Sequence, residues 1–354
     1  MRIAPFALER YFSEVEADAD VMLAESGVRP LSVERFDTEP DDLGYVVPTA
    51  GNLEFRAEIG SAHGRDAEET LFTCGTQEAN LLTLLALAET HAVVVTPTYG
   101  SLTGLPEALC GVTRVPLDEP DWTLDPDLVA DALRPDTDLV VIVNPNNPTG
   151  RYHDAATMRS IYDHCADNGT YLLCDEVYRL LAADSIEPVS TFGRYGISTG
   201  GVSKAFGLAG LRFGWLCGPP AVVAAAENWK DYTTISPPTI GQHVARQAFE
   251  HRESILAESR EHVAGNRAVL EAFLGEYGLE WSDPDCGVNA FLEVPEGFAG
   301  GESLCRNLVA EESVVLAPGE AFDRPEWIRI GFGLPRAELE EGLARFGAFL
   351  ERHG

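Results

Sequence analysis

Apolar and polar positions along the first two thirds of the chain predict an alternation of helices and buried strands. Residues 76–90 (TQEANLLTLLALAET) indicate a helix, and the unbroken apolar runs 92–96 (AVVVT) and 139–143 (LVVIV) indicate short strands bounded by Pro or Asn. A helix near 155–167 and a strand at 170–174 continue the order. Unbroken apolar strands are typical of a parallel sheet that is covered on both faces. The pattern therefore predicts an α/β fold with a mostly parallel sheet covered by helices.

The pattern changes after about residue 280, where short strands and helices suggest a smaller α+β unit. Before this point the large-unit pattern continues through 196–203, 212–217, 219–230 and 239–275. After it, strands are predicted at 288–294, 313–317 and 327–331, and helices near 302–311 and 335–352. A chain of 354 residues is long enough for one large domain with a smaller companion. We expect a large domain at 40–255 and a small domain formed by 1–39 and 256–354.

The charge of the chain is strongly acidic. There are 57 Asp and Glu against 25 Lys and Arg, a net charge of −32, and 45% hydrophobic residues, so core material is plentiful. This composition is typical of a halophilic surface, on which carboxylates keep the protein hydrated at high salt. An ordinary acidic protein from a GC-rich genome, in which Arg replaces Lys, is the alternative. Nucleic acid and anionic membranes are not expected as partners.

Cysteine usage and the first residues of the chain bear on its location. The 7 cysteines are scattered and form no C-x-x-C pair, so neither a disulfide framework nor a zinc site is predicted. The first 20 residues are acidic where a signal peptide needs a positive flank, and no run of about 20 apolar residues occurs. We expect a soluble, unexported protein in a reducing cytoplasm, with no metal site.

The most informative segment is 203–215 (SKAFGLAGLRFGW), which contains Lys204, one of only two lysines in the chain. It resembles the lysine signature of fold type I aminotransferases. The resemblance implies that Lys204 forms an imine with pyridoxal 5′-phosphate (PLP) and that Arg212 pairs with the cofactor phosphate, beside Ser203. Burial can depress the pKa of a lysine for such chemistry, and the planar arginine fork suits a phosphate. The alternative is that Lys204 is a solvated surface lysine.

Two further segments resemble motifs of the same family. Asp175 and Tyr178 match its D-x-x-Y pattern and follow an apolar strand, where α/β sheets place ligand groups. The resemblance implies that Asp175 keeps the pyridine nitrogen protonated, so that the ring accepts electrons. It also implies that Tyr178 and Asn147, the latter within 144–150 (NPNNPTG), bond the phenolic oxygen, and that Asn147 contacts the substrate. On its own, 144–150 reads equally well as a turn.

Gly75 and Thr76 precede the first predicted helix and resemble the family's phosphate loop. Backbone amides at a helix N-terminus form an anion site, although Thr76 would also serve as a simple helix cap. Tyr99 corresponds to the aromatic ring that stacks on the pyridine face, and a packed core tyrosine is the alternative. Many relatives carry a serine three residues before the lysine, whereas this chain has Gly201. Ser203 and Thr199 are the candidate replacements.

Arg329 lies in an apolar strand pattern and matches the arginine that binds the substrate's α-carboxylate. The preceding segment 317–322 (APGEAF) also follows the family pattern, and a structural salt bridge is the competing explanation for Arg329. Tyr45, followed by Gly51 and Arg56, resembles the segment through which one subunit extends a tyrosine to its neighbour's phosphate. The resemblance therefore implies a homodimer with shared active sites.

The resemblance to class I/II aminotransferases, of the aspartate aminotransferase-like superfamily, extends from roughly residue 45 to residue 333. It implies a ping-pong exchange between an amino acid and a 2-oxo acid through a Lys204 internal aldimine, with Lys204, Asp175 and Tyr178 as catalytic residues. Residues 22–30 resemble capreomycidine synthase-like members, so a lyase, a cyclase or a decarboxylase on the same scaffold is the alternative. A ligand-sensing regulator would need a basic DNA-binding domain, which this sequence does not contain.

Overall fold

The computed structural model describes residues 3–353, which form eleven α-helices and ten β-strands in two sheets. The helices are α1 (Ala7–Val15), α2 (Leu53–Ser61), α3 (Thr76–Leu87), α4 (Ser101–Leu109), α5 (Pro126–Ala132), α6 (Ala155–Asn168), α7 (Pro220–Lys230), α8 (Thr239–Glu250), α9 (Arg252–Tyr277), α10 (Gly301–Glu312) and α11 (Arg336–His353). The strands are β1 (Thr70–Thr73), β2 (His91–Thr96), β3 (Gly111–Pro116), β4 (Leu139–Val143), β5 (Tyr171–Asp175), β6 (Gly196–Gly201), β7 (Gly214–Cys217), β8 (Asn289–Glu293), β9 (Ala317–Pro318) and β10 (Trp327–Gly331).

The larger sheet has seven strands in the order β1-β7-β6-β5-β4-β2-β3. The five strands from β6 to β3 in this order run parallel, whereas β7 is antiparallel to both β6 and β1. The residues of β4 alternate between two apolar clusters. Val140 and Ile142 pack on one face, and Val141 and Val143 pack on the other. The sheet is therefore covered on both faces, which explains the unbroken apolar runs and confirms the predicted α/β fold with a mostly parallel sheet.

The carboxyl ends of three neighbouring strands bring the predicted chemistry together. Val143 pairs with Asp175 across β4 and β5, and Asp175 pairs with Thr199 across β5 and β6. Because parallel strands end at the same edge of a sheet, the segments that follow β4, β5 and β6 meet there. Asn147 and Lys204 lie in two of these segments.

The smaller sheet has three strands in the order β8-β10-β9. Its central strand β10 places Arg329 opposite Phe291 of β8 and Ala317 of β9. The N-terminal segment, defined here as residues 3–31, crosses to this part of the chain, because Val21 forms a bridge with Val314. Helix α9 runs through residue 255 without interruption, so the boundary between the domains 40–255 and 1–39 with 256–354 stays a prediction.

Some elements differ from the predicted pattern. The helix predicted at 239–275 is two helices, because the backbone leaves the helical conformation at His251, where neither Gly nor Pro marks a break. The strand predicted at 313–317 pairs with β10 only through Ala317 and Pro318, and Val314 instead pairs with the N-terminal segment. Within residues 3–353, no helix is both long and apolar enough to cross a lipid bilayer.

Candidate active site

A cavity of about 340 Å³ opens at the carboxyl ends of the parallel strands. It is lined by Leu8, Glu9, Phe12, Glu16, Met22, Ala24, Glu25, Ser26, Thr76, Gln77, Tyr99, Val143, Asn147, Asp175, Val177, Tyr178, Ser203, Lys204, Ala209, Arg212 and Arg329. Nine of the predicted site residues are in this set, whereas Gly75 and Tyr45 are not. The cavity therefore brings together groups that are separated by more than 250 residues in sequence.

Lys204 lies just beyond the end of β6 and reaches the cavity with its amino group. Its Nζ atom donates a hydrogen bond to Ser26 Oγ at 2.7 Å, and Glu25 Oε1 lies 3.9 Å away. Both partners belong to the N-terminal segment, and the Lys204 side chain is only 24% exposed. Lys204 is therefore held in the cavity rather than solvated on the surface, which favours the functional interpretation of this lysine.

Asp175 is the last residue of β5 and lies buried at the base of the cavity. Asn80 Nδ2 donates to its Oδ2 at 2.7 Å, and the Val177 backbone amide donates to its Oδ1 at 3.1 Å. Burial raises the pKa of this carboxyl to about 6, while the two hydrogen bonds and the Lys204 charge oppose the rise. Asp175 is therefore a carboxylate in a dry environment with a hydrogen bond to each oxygen.

Tyr178 is buried one turn beyond Asp175, and its hydroxyl has a defined orientation. The hydroxyl donates to the Ser26 carbonyl at 3.0 Å and accepts from Asn289 Nδ2 at 2.9 Å. Asn289 is the first residue of β8 in the smaller sheet, and the sequence analysis did not identify it. An Asn at the start of an apolar strand is a weak signal, because its partner is more than 100 residues away along the chain.

Arg329 is 1% exposed and has no carboxylate partner among residues 3–353. Its Nη1 donates to Asn147 Oδ1 at 3.0 Å and its Nη2 to the Ala24 carbonyl at 2.8 Å, whereas its buried Nε has no hydrogen-bond partner. Burial lowers the pKa of this guanidinium from its ordinary value. A buried arginine without a compensating charge is costly, and a ligand carboxylate in the cavity would supply that charge.

Arg212 and Gly75 meet at the start of helix α3. A Cβ atom on Gly75 would lie 2.6 Å from Arg212 Nη2, and Gly75 has a φ of +81°, so both space and backbone conformation favour glycine. Arg212 donates to the Ala209 carbonyl at 3.1 Å and pairs with no carboxylate in the described part of the chain. A guanidinium beside free amides at a helix N-terminus can bind a phosphate.

Thr76 lies against Gly201, the position where relatives carry a serine. A Cβ atom on Gly201 would lie 2.6 Å from Thr76 Oγ1 and 2.9 Å from the Phe213 carbonyl, and Thr76 Oγ1 is buried without a partner. Of the candidate replacements, Thr199 donates its hydroxyl to Asn80 Oδ1 at 2.7 Å, whereas Ser203 lines the cavity. The sequence predicted Thr76 as part of the phosphate loop. It did not indicate that the Thr76 hydroxyl lies beside the position of the missing serine.

Two aromatic residues lie in different places. Tyr99 lines the cavity, packs edge-on against Phe6 at 5.1 Å, and donates its hydroxyl to Glu9 Oε1 at 3.2 Å. Burial and the Glu9 carboxylate raise the pKa of Tyr99. Tyr45 is 67% exposed and lies beside Gln242 and Arg246 in a separate surface depression. A single chain therefore does not bring Tyr45 to its own Lys204.

The N-terminal segment forms one wall of the cavity, which the sequence analysis did not predict. Helix α1 contributes Glu9 and Phe12, and the following residues contribute Met22, Glu25 and Ser26. Glu9 and Phe12 carry no motif, and the resemblance of residues 22–30 to some relatives implied no contact with Lys204. The proximity of these residues to Lys204 depends on contacts between distant parts of the chain, which no local signal reports.

The polar groups of the cavity match the chemistry of PLP. An anion cradle without an acidic partner is formed by Gly75, Thr76 and Arg212, and a buried carboxylate is available in Asp175. Lys204 supplies the only lysine amine of the cavity wall. The residues present therefore fit the cofactor.

Comparison with known proteins agrees with this fit. Residues 35–346 match the model of the family described as aminotransferase class I and II. The chain is 33% identical over 316 residues to capreomycidine synthase from Streptomyces vinaceus, which covers 86% of this chain and 81% of that protein.

Two solved structures are similar to the whole chain. A PLP-dependent aminotransferase from Streptococcus suis has a TM-score of 0.93 at 27% identity, and the PLP-dependent cyclase OrfR has a TM-score of 0.91 at 28% identity. Each comparison covers 100% of this chain and 99% of the other. The chain therefore belongs to the class I and II aminotransferase family and is a PLP-dependent enzyme of fold type I.

Proposed function

We propose that this enzyme is an aminotransferase that moves the α-amino group of an amino acid to a 2-oxo acid, with Lys204 as its central catalytic residue. The observation that carries the proposal is the shared cavity, in which the Lys204 amine, the Asp175 carboxylate and the Arg329 guanidinium, which has no carboxylate partner in residues 3–353, all face one space. These are the groups that transamination needs for proton transfer, for charge stabilisation and for carboxylate binding.

The cofactor would be held at both ends. Gly75, Thr76, Ser203 and Arg212 would bind its phosphate, because they combine a glycine-lined approach, two hydroxyls and a guanidinium without an acidic partner. Asp175 would face the pyridine nitrogen. When bound, PLP supplies an electron sink that stabilises negative charge at the substrate's α-carbon.

Three residues would adjust the environment of the bound ring. Tyr178 would donate to the phenolic oxygen, which requires its hydroxyl to turn away from the Ser26 carbonyl that it contacts at 3.0 Å. Asn147 would bond the same oxygen, since its side chain lies between this region and Arg329. Tyr99 would cover one face of the ring.

Arg329 would bind the substrate's α-carboxylate. Its position on a central strand, the packing of its guanidinium against Phe322 at 5.3 Å and its bond to Asn147 restrict its orientation. Arginine presents paired donors that match a carboxylate. The Lys204 Nζ atom would then take the proton from the substrate's α-carbon, and the Ser26 hydroxyl lies ready to orient that amine.

A stoichiometric half-reaction tests the proposal. The PLP-loaded enzyme is mixed with single amino acids without any oxo-acid acceptor, and pyridoxamine phosphate and the new oxo acid are measured by chromatography. Ping-pong transfer predicts up to one equivalent of each product per Lys204 site. Turnover that releases ammonia and never yields pyridoxamine phosphate would contradict transfer.

A cyclase or another lyase is the second candidate, and a specific observation favours it. Capreomycidine synthase is 33% identical to this chain, and the cyclase OrfR is nearly as similar in structure as the aminotransferase from Streptococcus suis. Asp175 and Lys204 would serve that reaction as well, because both reactions begin by removing a proton from the α-carbon. The half-reaction distinguishes the two, since cyclisation leaves the cofactor unchanged.

We also propose that the enzyme acts as a homodimer with shared active sites. Exposed apolar side chains concentrate in two segments, 43–53 and 229–240, which are joined by hydrogen bonds from Thr239 to Gly44 and from Lys230 to Thr49. Leu43, Val47 and Tyr232 are each more than 80% exposed. A face of this kind is typical of an interface, and Tyr45 lies on it. Tyr45 would then reach the phosphate of the partner's cofactor.

The acidic composition supports a proposal about the working environment. With a net charge of −32, repulsion among surface carboxylates destabilises the folded state at low salt, and we expect the free energy of unfolding to rise with salt. The 7 cysteines are all free, a state that a reducing cytoplasm would maintain. Thermal unfolding at low, physiological and molar salt tests the halophilic interpretation, because screening of the same net charge in an ordinary acidic protein is largely complete at about 0.15 M salt, whereas a halophilic protein should go on gaining stability into molar salt.

A further inference from the structure

Asn80 is a buried amide in an otherwise apolar stretch of helix α3. It is 1% exposed, and the neighbouring Ala79, Leu82 and Leu84 are fully buried. A polar side chain at such a position costs free energy unless its donors and acceptors are paired. Packing alone would be served as well by leucine, so the partners of the amide indicate its role.

Both ends of the amide are occupied. Asn80 Nδ2 donates to Asp175 Oδ2 at 2.7 Å, and Asn80 Oδ1 accepts from Thr199 Oγ1 at 2.7 Å. The carboxylate of Asp175 can only accept when ionised, so the amide nitrogen must face it. The hydroxyl of Thr199 then donates to the remaining oxygen. The chain Thr199–Asn80–Asp175 therefore has one consistent orientation.

The charge on Asp175 depends on this network. Burial raises its pKa to about 6, and the hydrogen bond from Asn80 is the largest opposing influence, followed by the Val177 amide and the charge of Lys204. Glu176 is adjacent, but its carboxylate turns to Ser198 at 2.8 Å. Strands β4 and β6, on either side, carry no ionisable residue. Asn80 is thus the main neutral group that stabilises the ionised carboxylate.

We propose that Asn80 is a positioning residue that, itself oriented by Thr199, aims the Asp175 carboxylate at the pyridine nitrogen of PLP and keeps it ionised. Thr76 lies one helical turn earlier on the same face of α3, so one rigid helix serves both the phosphate cradle and the ring-nitrogen partner. The inference rests on PLP binding at Lys204 and does not depend on whether the reaction is transfer or cyclisation.

The test measures the protonation of the cofactor ring directly. PLP labelled with ¹⁵N in the pyridine ring is bound to the wild-type protein and to Asn80→Leu, Thr199→Val and Thr83→Val, and the ¹⁵N chemical shift is followed against pH. Thr83 is the matched control, because its buried hydroxyl on the same helix donates to the Ala79 carbonyl and not to Asp175.

Loss of the Asn80 donor raises the pKa of Asp175, so the carboxyl beside the protonated ring nitrogen takes up its own proton at a higher pH. The ¹⁵N shift senses this step because the ring nitrogen then loses its carboxylate partner, and in Asn80→Leu the acidic midpoint should move up by about one pH unit, which is a tenfold change in that equilibrium. Thr199→Val should shift the midpoint in the same direction by less, because the amide is then free to rotate. Thr83→Val should leave the midpoint unchanged.

An unchanged midpoint in both Asn80→Leu and Thr199→Val, with folding verified by circular dichroism, would overturn the positioning role. If Asn80→Leu fails to fold, Thr199→Val alone decides, because it keeps the amide and removes only the group that orients it. Failure of the wild-type protein to bind labelled PLP would instead contradict the cofactor site itself. Turnover is not needed for any of these measurements, so the proposed reaction is tested separately.

Discussion

The two walls of the cavity are held in different ways. The sheet wall carries Asp175 and Lys204 directly after strands β5 and β6, which are covered on both faces and hydrogen-bonded along their length. The segment wall is formed by residues 3–31 and is attached at separate points, such as Val28 to the Lys204 carbonyl at 3.3 Å and Arg29 to the Gly333 carbonyl at 2.7 Å.

This difference between the walls separates the groups that suit the cofactor from the groups that could influence substrate choice. Groups on the sheet wall are positioned by strand ends and have chemistry that suits the cofactor. The segment wall contributes Glu9, Phe12, Glu25 and other side chains, for which no motif predicted a place in the cavity. We infer that the sheet wall sets the reaction and the segment wall influences which substrate is accepted. The following substitutions sharpen this comparison or break it.

The largest effect is expected for Lys204→Ala on the sheet wall. Without the amine, turnover should be lost, and PLP should be removed by gel filtration under conditions that leave the wild-type protein loaded. Phosphate analysis of the filtered protein and an activity assay measure both effects. Arg194→Ala is the control, since it removes an exposed cation outside the cavity, and it should keep cofactor and activity. Retained turnover in Lys204→Ala would contradict the assignment.

Arg329→Leu tests the group that touches both walls. Hydrogen bonds to charged groups contribute about 1.5–3 kcal/mol each, so kcat/KM should fall by roughly two orders of magnitude. The fall should appear mainly in KM, which steady-state kinetics with an amino acid substrate measures. The bond to the Ala24 carbonyl is also lost, so limited proteolysis should cut the N-terminal segment sooner. Arg159→Leu, which removes an exposed ion pair to Glu187 away from the N-terminal segment, should change neither property.

The pKa of Asp175 predicts how PLP affinity depends on pH. Its value of about 6 without cofactor is raised by burial, and pairing with a protonated ring nitrogen favours the ionised carboxyl. Affinity should therefore be full well above pH 6 and should fall by about tenfold per pH unit below it. The measurement is PLP affinity against pH in the wild-type protein and in Asp175→Asn. The titration of free PLP affects both proteins equally, so the difference between the two curves reports on Asp175. Parallel curves would contradict the prediction.

The smallest effect is expected on the segment wall, for Ser26→Ala. The hydroxyl that accepts from Lys204 Nζ at 2.7 Å is removed, and a hydrogen bond contributes about 1 kcal/mol net, so kcat should fall by about fivefold. Ser32→Ala is the control in an exposed turn nearby. A loss as large as that of Lys204→Ala would mean that the segment wall is part of the reacting centre, and the comparison of the two walls would be wrong.

The sequence predicted the elements whose signal is local. Strand β4 is apolar throughout, and β5 carries no charge before its last residue, Asp175, because both faces of the sheet are covered. Their predicted bounds differ from the structure by at most one residue. The break at His251 and the pairing of Val314 with Val21 were not predicted. Both depend on how distant parts of the chain pack. The hydrophobic pattern of a short stretch of sequence carries no information about such contacts.

The residues of the candidate site also divide into those with a local sequence signal and those without one. Lys204, Asp175 and Arg212 lie in segments whose spacing resembles a family motif, and the structure brings all three to one cavity. Asn80, Asn289 and Ser26 were not predicted, because each acts through a partner that is remote in sequence. For Asn80 a weak signal existed, since an amide in an apolar helical stretch needs a partner.

The contact between Gly201 and Thr76 constrains the order in which this site can change. A serine at position 201 would bring its Cβ within 2.6 Å of Thr76 Oγ1 and 2.9 Å of the Phe213 carbonyl. A direct Gly201→Ser step therefore requires the Thr76 hydroxyl to rotate or to be replaced, and the backbone at Phe213, just before strand β7, to shift. A smaller residue at position 76 relieves only the first contact, so positions 76 and 201 are expected to show epistasis.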